Sequence, residues 1–384
     1  MMDRRDFLAR GLGGLGALSL AAGGDAASLF DPLAGLEPIR ATPDRIFRIT
    51  VCLRPFRAAG PRIAVEEVGR KRVVHHYGHG GSGWSLSWGS AEVAVGMALA
   101  DGMTDIAVIG AGAIGLTTAL TAQRAGAQVT IYAKEQFPDV RSARATGTWS
   151  PDSRIAMEGG VDAGFGDRWE AMPRRSFAFY QGLLGLPGDP VEWTDRYMLS
   201  DGPAVAPAVE MPTPQRPDRF IRLEERLHDI MPRSVELAPG THPFRTERAR
   251  RSSSLTFNVA DLAHQLTNDF LIGGGRIVPM ELHEPQDVTR MKQKTVINCT
   301  GYGARALWRD ESIVPVRGQI AWLIPQAGAT YGVYHDKLAM LARRDGIVVQ
   351  EVGEDDWFGY GDANEAPDRA AAEASVRKLA GFWK

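Results

Sequence analysis

The fold turns on Asp105-Ile106-Ala107-Val108-Ile109-Gly110-Ala111-Gly112-Ala113-Ile114-Gly115. Residues 105–109 are a short apolar run, the pattern of a strand buried on both faces of a parallel sheet. A GxGxxG loop follows at once, and a helical stretch continues through Leu116, Ala119, Leu120 and Gln123. Gly126 stops that helix, and Gln128–Ala133 reads as the second strand. Each glycine has a physical task. Gly110 permits the tight turn, Gly112 lets the backbone approach a pyrophosphate, and Gly115 lets helix and strand pack closely. The free N–H groups and dipole of the helix start favour phosphate, with Ala111, Ala113 and Ile114 completing the loop. A lone GxGxxG is weak, but strand, loop, helix and second strand in order define a dinucleotide-binding βαβ unit. At the end of the second strand, where an acid is expected on the ribose, the chain offers Lys134 and Glu135. Glu135 suits ribose hydroxyls and Lys134 suits a 2′-phosphate, so the loop alone leaves FAD and a nicotinamide cofactor both open.

Around this unit, composition sets limits. The chain has 384 residues, room for two domains, and is 44% hydrophobic, which excludes a disordered chain. Lys+Arg 44 against Asp+Glu 46 leaves −2, so no basic excess exists to neutralise phosphates and a nucleic-acid partner is not expected. Cys52 and Cys299 lie in apolar strand-like runs; they permit one bridge at most and rule out a disulfide framework. No apolar run reaches the ~20 residues that span a bilayer. Arg4-Arg5 precede Asp6-Phe7-Leu8, a mildly apolar run extends from Gly11 to Ala22, and small residues surround Gly24-Asp25-Ala26. Residues 1–27 thus resemble a twin-arginine signal peptide. This implies the twin-arginine export machinery as a partner and a periplasmic destination, by a route that suits a protein loaded with its cofactor before export. Residues 28–44, with Pro32, Pro38 and Pro43, read as an extended linker.

Two further segments add to the dinucleotide loop. Arg144-Ala145-Thr146-Gly147-Thr148-Trp149-Ser150-Pro151 follows the second strand, and Val296-Ile297-Asn298-Cys299-Thr300-Gly301 is a strand ending in a glycine turn. With the loop, they resemble the D-amino-acid oxidase family of FAD-dependent oxidoreductases. Val314–Ile320 is similar to that family's next strand, and Ser253–Gly301 matches its layout of strand, helix, glycine cluster and strand. The most specific match is Val73-Val74-His75-His76-Tyr77-Gly78-His79-Gly80-Gly81-Ser82-Gly83-Trp84, which resembles the family's flavin-holding signature. Just upstream, Leu53-Arg54-Pro55-Phe56-Arg57 resembles the strand carrying its substrate-carboxylate arginine. Both normally lie near the C-terminus, and here both precede the dinucleotide loop. A circular permutation accounts for that order, with Ala100–Thr104 joining the old termini.

The resemblance implies an α/β fold. A Rossmann-like FAD-binding domain would combine residues 67–180 and 256–303 with a C-terminal helix in 366–384. A mixed-sheet substrate domain would combine residues 45–66, 181–255 and 304–365. FAD is the implied cofactor. Its implied contacts are the Gly110–Gly115 loop, Lys134, Glu135, Thr146, Gly147, Trp149, Gly80, Ser82, Gly83, Trp84, Ser85, Thr300 and Gly301. The implied substrate is an amino acid, in the family's pattern a D-amino acid. Arg54 would grip its carboxylate and the Gly81 carbonyl its amine while a hydride leaves Cα for the flavin. The imino acid then hydrolyses to a keto acid and ammonia, and oxygen or another acceptor reoxidises the flavin.

The residues also have readings of their own. Arg72–Tyr77 is a Pro-free strand that ends in a glycine cluster, and a helix starts near Trp84. N–H groups at such a start stabilise a carbonyl that gains negative charge. His75, His76 and His79 invite a metal reading. Neighbours on a strand face opposite ways, and no acid or thiol lies nearby in sequence, so they read as packed or hydrogen-bonded and no metal site is assigned. On composition alone Arg54 is a solvated cation or ion-pair partner; the resemblance makes it the carboxylate ligand, for which a planar guanidinium is suited. Arg57, three residues on, is the alternative. The family's substrate-flanking tyrosines correspond to Tyr331 or Tyr334, while the position nearest the second is Met340 or Leu341; Trp357, Phe358 and Tyr360 read as core. Two rival functions stand beside the oxidase: an NAD(P)-dependent dehydrogenase, supported by Lys134, and an exported binding protein without turnover, supported by the altered tyrosine region.

Overall fold

The computed structural model describes residues 36–202, 213, 216 and 218–384. The twin-arginine stretch, the Gly11–Ala22 run and the first part of the linker lie outside the described residues. Strand β1 (Ile46–Arg57) is followed by β2 (Arg62–Val68), β3 (Lys71–Tyr77), helix α1 (Gly83–Leu99), β4 (Asp105–Ile109), α2 (Ala113–Arg124) and β5 (Gln128–Ala133). Next come α3 (Phe165–Gln181), β6 (Val191–Ser200), β7 (Val235–Glu236), β8 (Arg248–Phe257), α4 (Val259–Ile272), β9 (Arg276–Pro279) and β10 (Thr295–Asn298). The last elements are α5 (Ala304–Leu307), β11 (Ile313–Leu323), β12 (Tyr331–His335), β13 (Leu338–Arg343), β14 (Gly346–Glu351) and α6 (Arg369–Ala380).

One sheet has the order β2-β3-β10-β4-β5-β9 and is parallel from β3 onward, with β2 antiparallel at its edge. Ile106, Ala107, Val108 and Ile109 are all buried, because both faces of β4 are covered. On one face, Leu116, Leu120, Leu262 and Leu266 of α2 and α4 pack with Ile106, Val108 and Ile131. The second sheet has the order β1-β11-β14-β13-β12-β6-β8-β7 and is antiparallel except between β12 and β6. β1 pairs with β11 along nearly its whole length, placing Cys52 opposite Gly318 and Arg54 opposite Val316. The two-layer expectation of a Rossmann-like sheet and a mixed sheet therefore describes the architecture.

Three boundaries differ from the expectation. Segment 45–66 divides: β1 joins the mixed sheet, while β2 forms a hairpin with β3 across Gly69 (φ +60°) and edges the parallel sheet. Helix α6 packs on β11 and β14 of the mixed sheet instead of on the dinucleotide layer. Its buried Ala372, Val376 and Leu379 form one apolar stripe, and Gln319 Nε2 donates to the Asp368 carbonyl at its start. The end of the supposed linker is fixed in place. Ile39 and Ala41 are buried, Tyr331 donates to the Glu37 carbonyl at 2.6 Å, and Gln326 bonds both the Arg40 N–H and the Pro38 carbonyl. Strand β9 was not anticipated; it extends the parallel sheet beyond β5.

Candidate active site

A cavity of about 570 Å³ runs between the two sheets. Its lining unites the β4–α2 loop, the Gly78–Trp84 loop, the ends of β5 and β10, and the inner faces of β1, β11 and β14. At one end, Gly110 has φ +101° and donates its N–H to the Tyr132 carbonyl at 2.8 Å. A Cβ on Gly115 would stand 1.9 Å from the Gly110 carbonyl oxygen, which is why only glycine lets α2 start this close to β4. Ser142, which the sequence reading missed, sits over the helix start: its Oγ accepts the Ala113 N–H at 3.0 Å, and its carbonyl accepts from Trp84 Nε1. Nothing in the pattern around Arg141-Ser142 marks such a serine beforehand. Lys134 and Glu135 both line the cavity, with Lys134 Nζ bound to Glu281 Oε1 at 2.7 Å.

The Gly78–Trp84 loop is tied from both sides. Gly80 donates to the Pro55 carbonyl at 3.0 Å, and Gly81 to the Ser153 carbonyl at 2.9 Å. A Cβ on Gly80, at φ +54°, would lie 1.9 Å from the Arg154 carbonyl oxygen, and one on Gly81 would lie 2.5 Å from Ser153 Oγ. The glycines are therefore set by close backbone approach, with the start of α1 aimed along the cavity wall. His79 lines this wall; its Nε2 is 3.1 Å from Ser90 Oγ, and burial pushes its pKa down to about 3. His76 is bonded to Thr118 and Ser90, and burial holds it well below the usual histidine range. His75 points the opposite way, as strand alternation requires, and contacts Glu66 at 2.8 Å. That acid is distant in the linear reading and arrives through the β2–β3 hairpin.

At the other end, Arg54 lines the cavity and makes no ion pair among the described residues; Nη1 reaches only the Val316 carbonyl, at 3.5 Å. Burial draws its pKa below the usual arginine range, and Cys52 and Asp356 act in the opposite sense. Arg154 is nearby: burial first, then the Arg54 charge, lower it to about 10, and Nε donates to the Asp356 carbonyl. Arg57 is engaged elsewhere, with Ser312 Oγ at 2.9 Å, the Gly60 carbonyl at 2.8 Å and Asp310 at 3.7 Å. Gln350, Ile320 and Gly318 complete this end and were not anticipated.

Of the expected contacts, Arg54, Gly80, Gly81, Gly83, Trp84, Gly110–Ile114, Lys134, Glu135, Thr146, Thr300 and Gly301 line the cavity. Gly115, Gly147, Trp149, Ser82 and Ser85 do not. Trp149 is buried among Phe177, Tyr180 and Phe257, and Gly147 is locked to Phe257 by a 2.7 Å backbone bond. Ser82 Oγ donates to the Ser153 carbonyl, while Ser85 Oγ accepts the Ser150 N–H. These residues support the wall from behind. Tyr331 and Tyr334 are also absent from the lining: Tyr331 is engaged with Glu37, and Tyr334 is 37% exposed. Trp357 and Tyr360, both half-buried, pack against Phe56 and Phe220 as the core reading expects, whereas Phe358 is exposed and does not. Cys52 and Cys299 are free thiols.

Sheet, glycine loop and shared cavity define a dinucleotide-binding fold with room for a second ligand. Residues 105–383 match the FAD dependent oxidoreductase family DAO, and the chain belongs to that family; its cofactor is FAD. The D-amino-acid oxidase of Streptomyces coelicolor is 25% identical over 291 residues, 72% of this chain and 77% of that protein. The D-amino-acid oxidase of Rubrobacter xylanophilus is 46% identical over 66 residues, so the match spans 17% of this chain and only 20% of that relative. Among solved structures, L-proline dehydrogenase from P. horikoshii aligns at a TM-score of 0.49 and 13% identity, covering 72% of this chain and 76% of that one. L-amino acid deaminase from Proteus vulgaris aligns at 0.43 and 13%, covering 65% and 61%.

The residues present suit FAD. The missing Cβ at Gly112 leaves the start of α2 open except for Ser142 Oγ, 3.1 Å from where that Cβ would stand, and Glu135 lines the cavity just past the end of β5, where a ribose-binding acid is expected. Lys134, the support for a 2′-phosphate, is ion-paired with Glu281 instead, and the family match removes the nicotinamide alternative.

Proposed function

We propose that this chain oxidises the Cα–N bond of an amino acid, a D-amino acid in the first instance. The observation that carries this reading is Arg54, a half-buried cation with no ion-pair partner among the described residues, in the cavity that also holds the glycine loop. The D-amino-acid oxidase relative from Streptomyces coelicolor supports the substrate class. FAD held at the Gly110–Ile114 loop would supply the two-electron acceptor for the hydride, with oxygen or another acceptor as the final oxidant. The chain's own part is positioning. Arg54 holds the α-carboxylate by two parallel donors, and the Gly81 carbonyl, fixed by its own N–H bond to Ser153, accepts from the amine. Burial holds His79 neutral at working pH, and Tyr77 donates to Asp310, so neither is set to take a proton and the reaction favours an amine that arrives uncharged. The test is anaerobic addition of D- and L-amino acids to the yellow protein. Bleaching by D-amino acids alone supports the reading, bleaching by L-amino acids alone reverses the stereochemistry, and no bleaching leaves a binding protein without turnover.

The same reading includes the rearranged order. The family match starts at residue 105, while Arg54 and the Gly80–Ser85 loop precede it, and α6 touches residues 43–45. A chain running 104–384, a short Gly/Ser linker, then 31–103 should fold and bind flavin; an insoluble or flavin-free product argues against the permutation. Export through the twin-arginine route rests on Arg4 and Arg5. Replacing both with lysine should hold the precursor in the cytoplasm, and unchanged periplasmic activity removes that assignment.

A further inference from the structure

Gln350 lies on β14, only 3% exposed, and lines the substrate end of the cavity. Its carboxamide makes no hydrogen bond to another described residue and faces the cavity, where its polar atoms are open to a ligand. Across the middle strand β11 stands Gly318. A Cβ there would meet Arg54 Nη1 at 2.6 Å, Arg54 Nη2 at 2.7 Å and Gln350 Nε2 at 2.8 Å. Three donor nitrogens from β1 and β14 thus crowd one point over a residue with no side chain. Among the described residues, the acceptor that Arg54 reaches is the Val316 carbonyl, at 3.5 Å. Donors converging on one point are unfavourable to one another and favourable to an anion with several lone pairs.

We propose that Gln350 is a second carboxylate-binding side chain, acting with Arg54 on the substrate's α-carboxylate, and that Gly318 is the gap through which both reach it. The proposal rests on the amino-acid reading above and adds a neutral donor to the single charged one. A neutral donor strengthens the grip without calling for a second carboxylate on the substrate.

The experiment titrates FAD-loaded protein with propanoate, a carboxylate with no amine to oxidise, and reads the shift of the visible flavin spectrum and of the melting temperature. Gln350→Leu should weaken propanoate roughly 10- to 100-fold, the worth of one hydrogen bond to a charged group. Gln350→Glu should weaken it further, because a carboxylate then faces a carboxylate. Gly318→Ala should do so too while keeping fold and colour, since the atoms its methyl displaces are the far ends of two flexible side chains. If Gln350→Leu loses flavin, the alanine variant decides the matter. Binding within twofold of wild type in Gln350→Leu or Gly318→Ala overturns the proposal. So does wild-type affinity in Gln350→Glu, which would mean that residue 350 does not face the bound carboxylate. Wild-type protein that takes up no propanoate overturns it as well. Arg54→Met separates the two readings. If it abolishes binding while Gln350→Leu does not, the carboxylate grip stands and Gln350 leaves it; if Arg54→Met binds normally, the grip itself fails.

Discussion

The two ends of the cavity are built from different materials. The phosphate end is backbone: Gly110, Gly112 and Gly115 act by lacking a Cβ, and α2 supplies N–H groups. The substrate end is side chain: Arg54 and Gln350 reach in from separate strands of the mixed sheet. The difference teaches that a substitution at one end should act by filling space, and at the other by removing a charge or a donor.

The largest effect should fall on the backbone end. Gly112→Val puts a branched side chain against Ser142 Oγ at the start of α2, and the purified protein should be colourless. Yellow protein at full occupancy would break the comparison at once. Next is Arg54→Met, which should retain flavin yet leave a carboxylate unpaired in a partly desolvated site. A loss of about 2–5 kcal/mol is roughly 30- to 4,000-fold in kcat/KM. Lost flavin in that variant would show that the two ends are not separable.

A smaller effect concerns the wall that joins them. His79 titrates near 3 in the folded protein and near ~6.5 when unfolded, so the unfolded chain binds the extra proton between those values. The stability from keeping it neutral is full above about pH 6.5 and is lost as pH falls toward 3, on the order of 5 kcal/mol in all. Melting temperatures of His79→Gln should therefore fall less steeply with acid than those of the parent, and identical slopes would sink the assignment. The smallest effect is expected for Arg57→Met. Its partners are Ser312, Gly60 and Asp310, away from the cavity, so stability should drop by ~1 kcal/mol with kcat/KM nearly unchanged. A crippled Arg57→Met beside a normal Arg54→Met would place the carboxylate grip three residues further along β1.

The same contrast explains what could be read in advance. The phosphate end lies within residues 105–135, where spacing alone orders strand, loop and helix, and the structure has them there. Arg54 was reachable only through its resemblance, because a guanidinium in an apolar run has no periodic signature. Gln350 carried no signal at all: it meets Arg54 only once β1 and β14 pair with opposite edges of β11. Trp149 shows the converse error. It sits in a recognisable segment, but an indole amid Phe177, Tyr180 and Phe257 contributes more to packing than to the cavity. The stripe on α6 announced a buried face without saying which sheet would cover it, and β9 is too short to announce itself.

Strand β1 also carries a consequence for synthesis. Arg54 and its bonding partner Val316 are 262 residues apart, and joining them closes a loop whose entropy no local contact offsets. At ~5–20 residues per second, a ribosome needs roughly 13–50 s to make that interval. Throughout it, Val51, Leu53 and Phe56 belong to an unpaired apolar strand, the kind of edge that chaperones shield and that aggregation exploits. The β4–α2–β5 unit lies within residues 105–133 and has no such wait. A nascent chain is thus expected to possess its phosphate loop long before it has anywhere to seat a substrate.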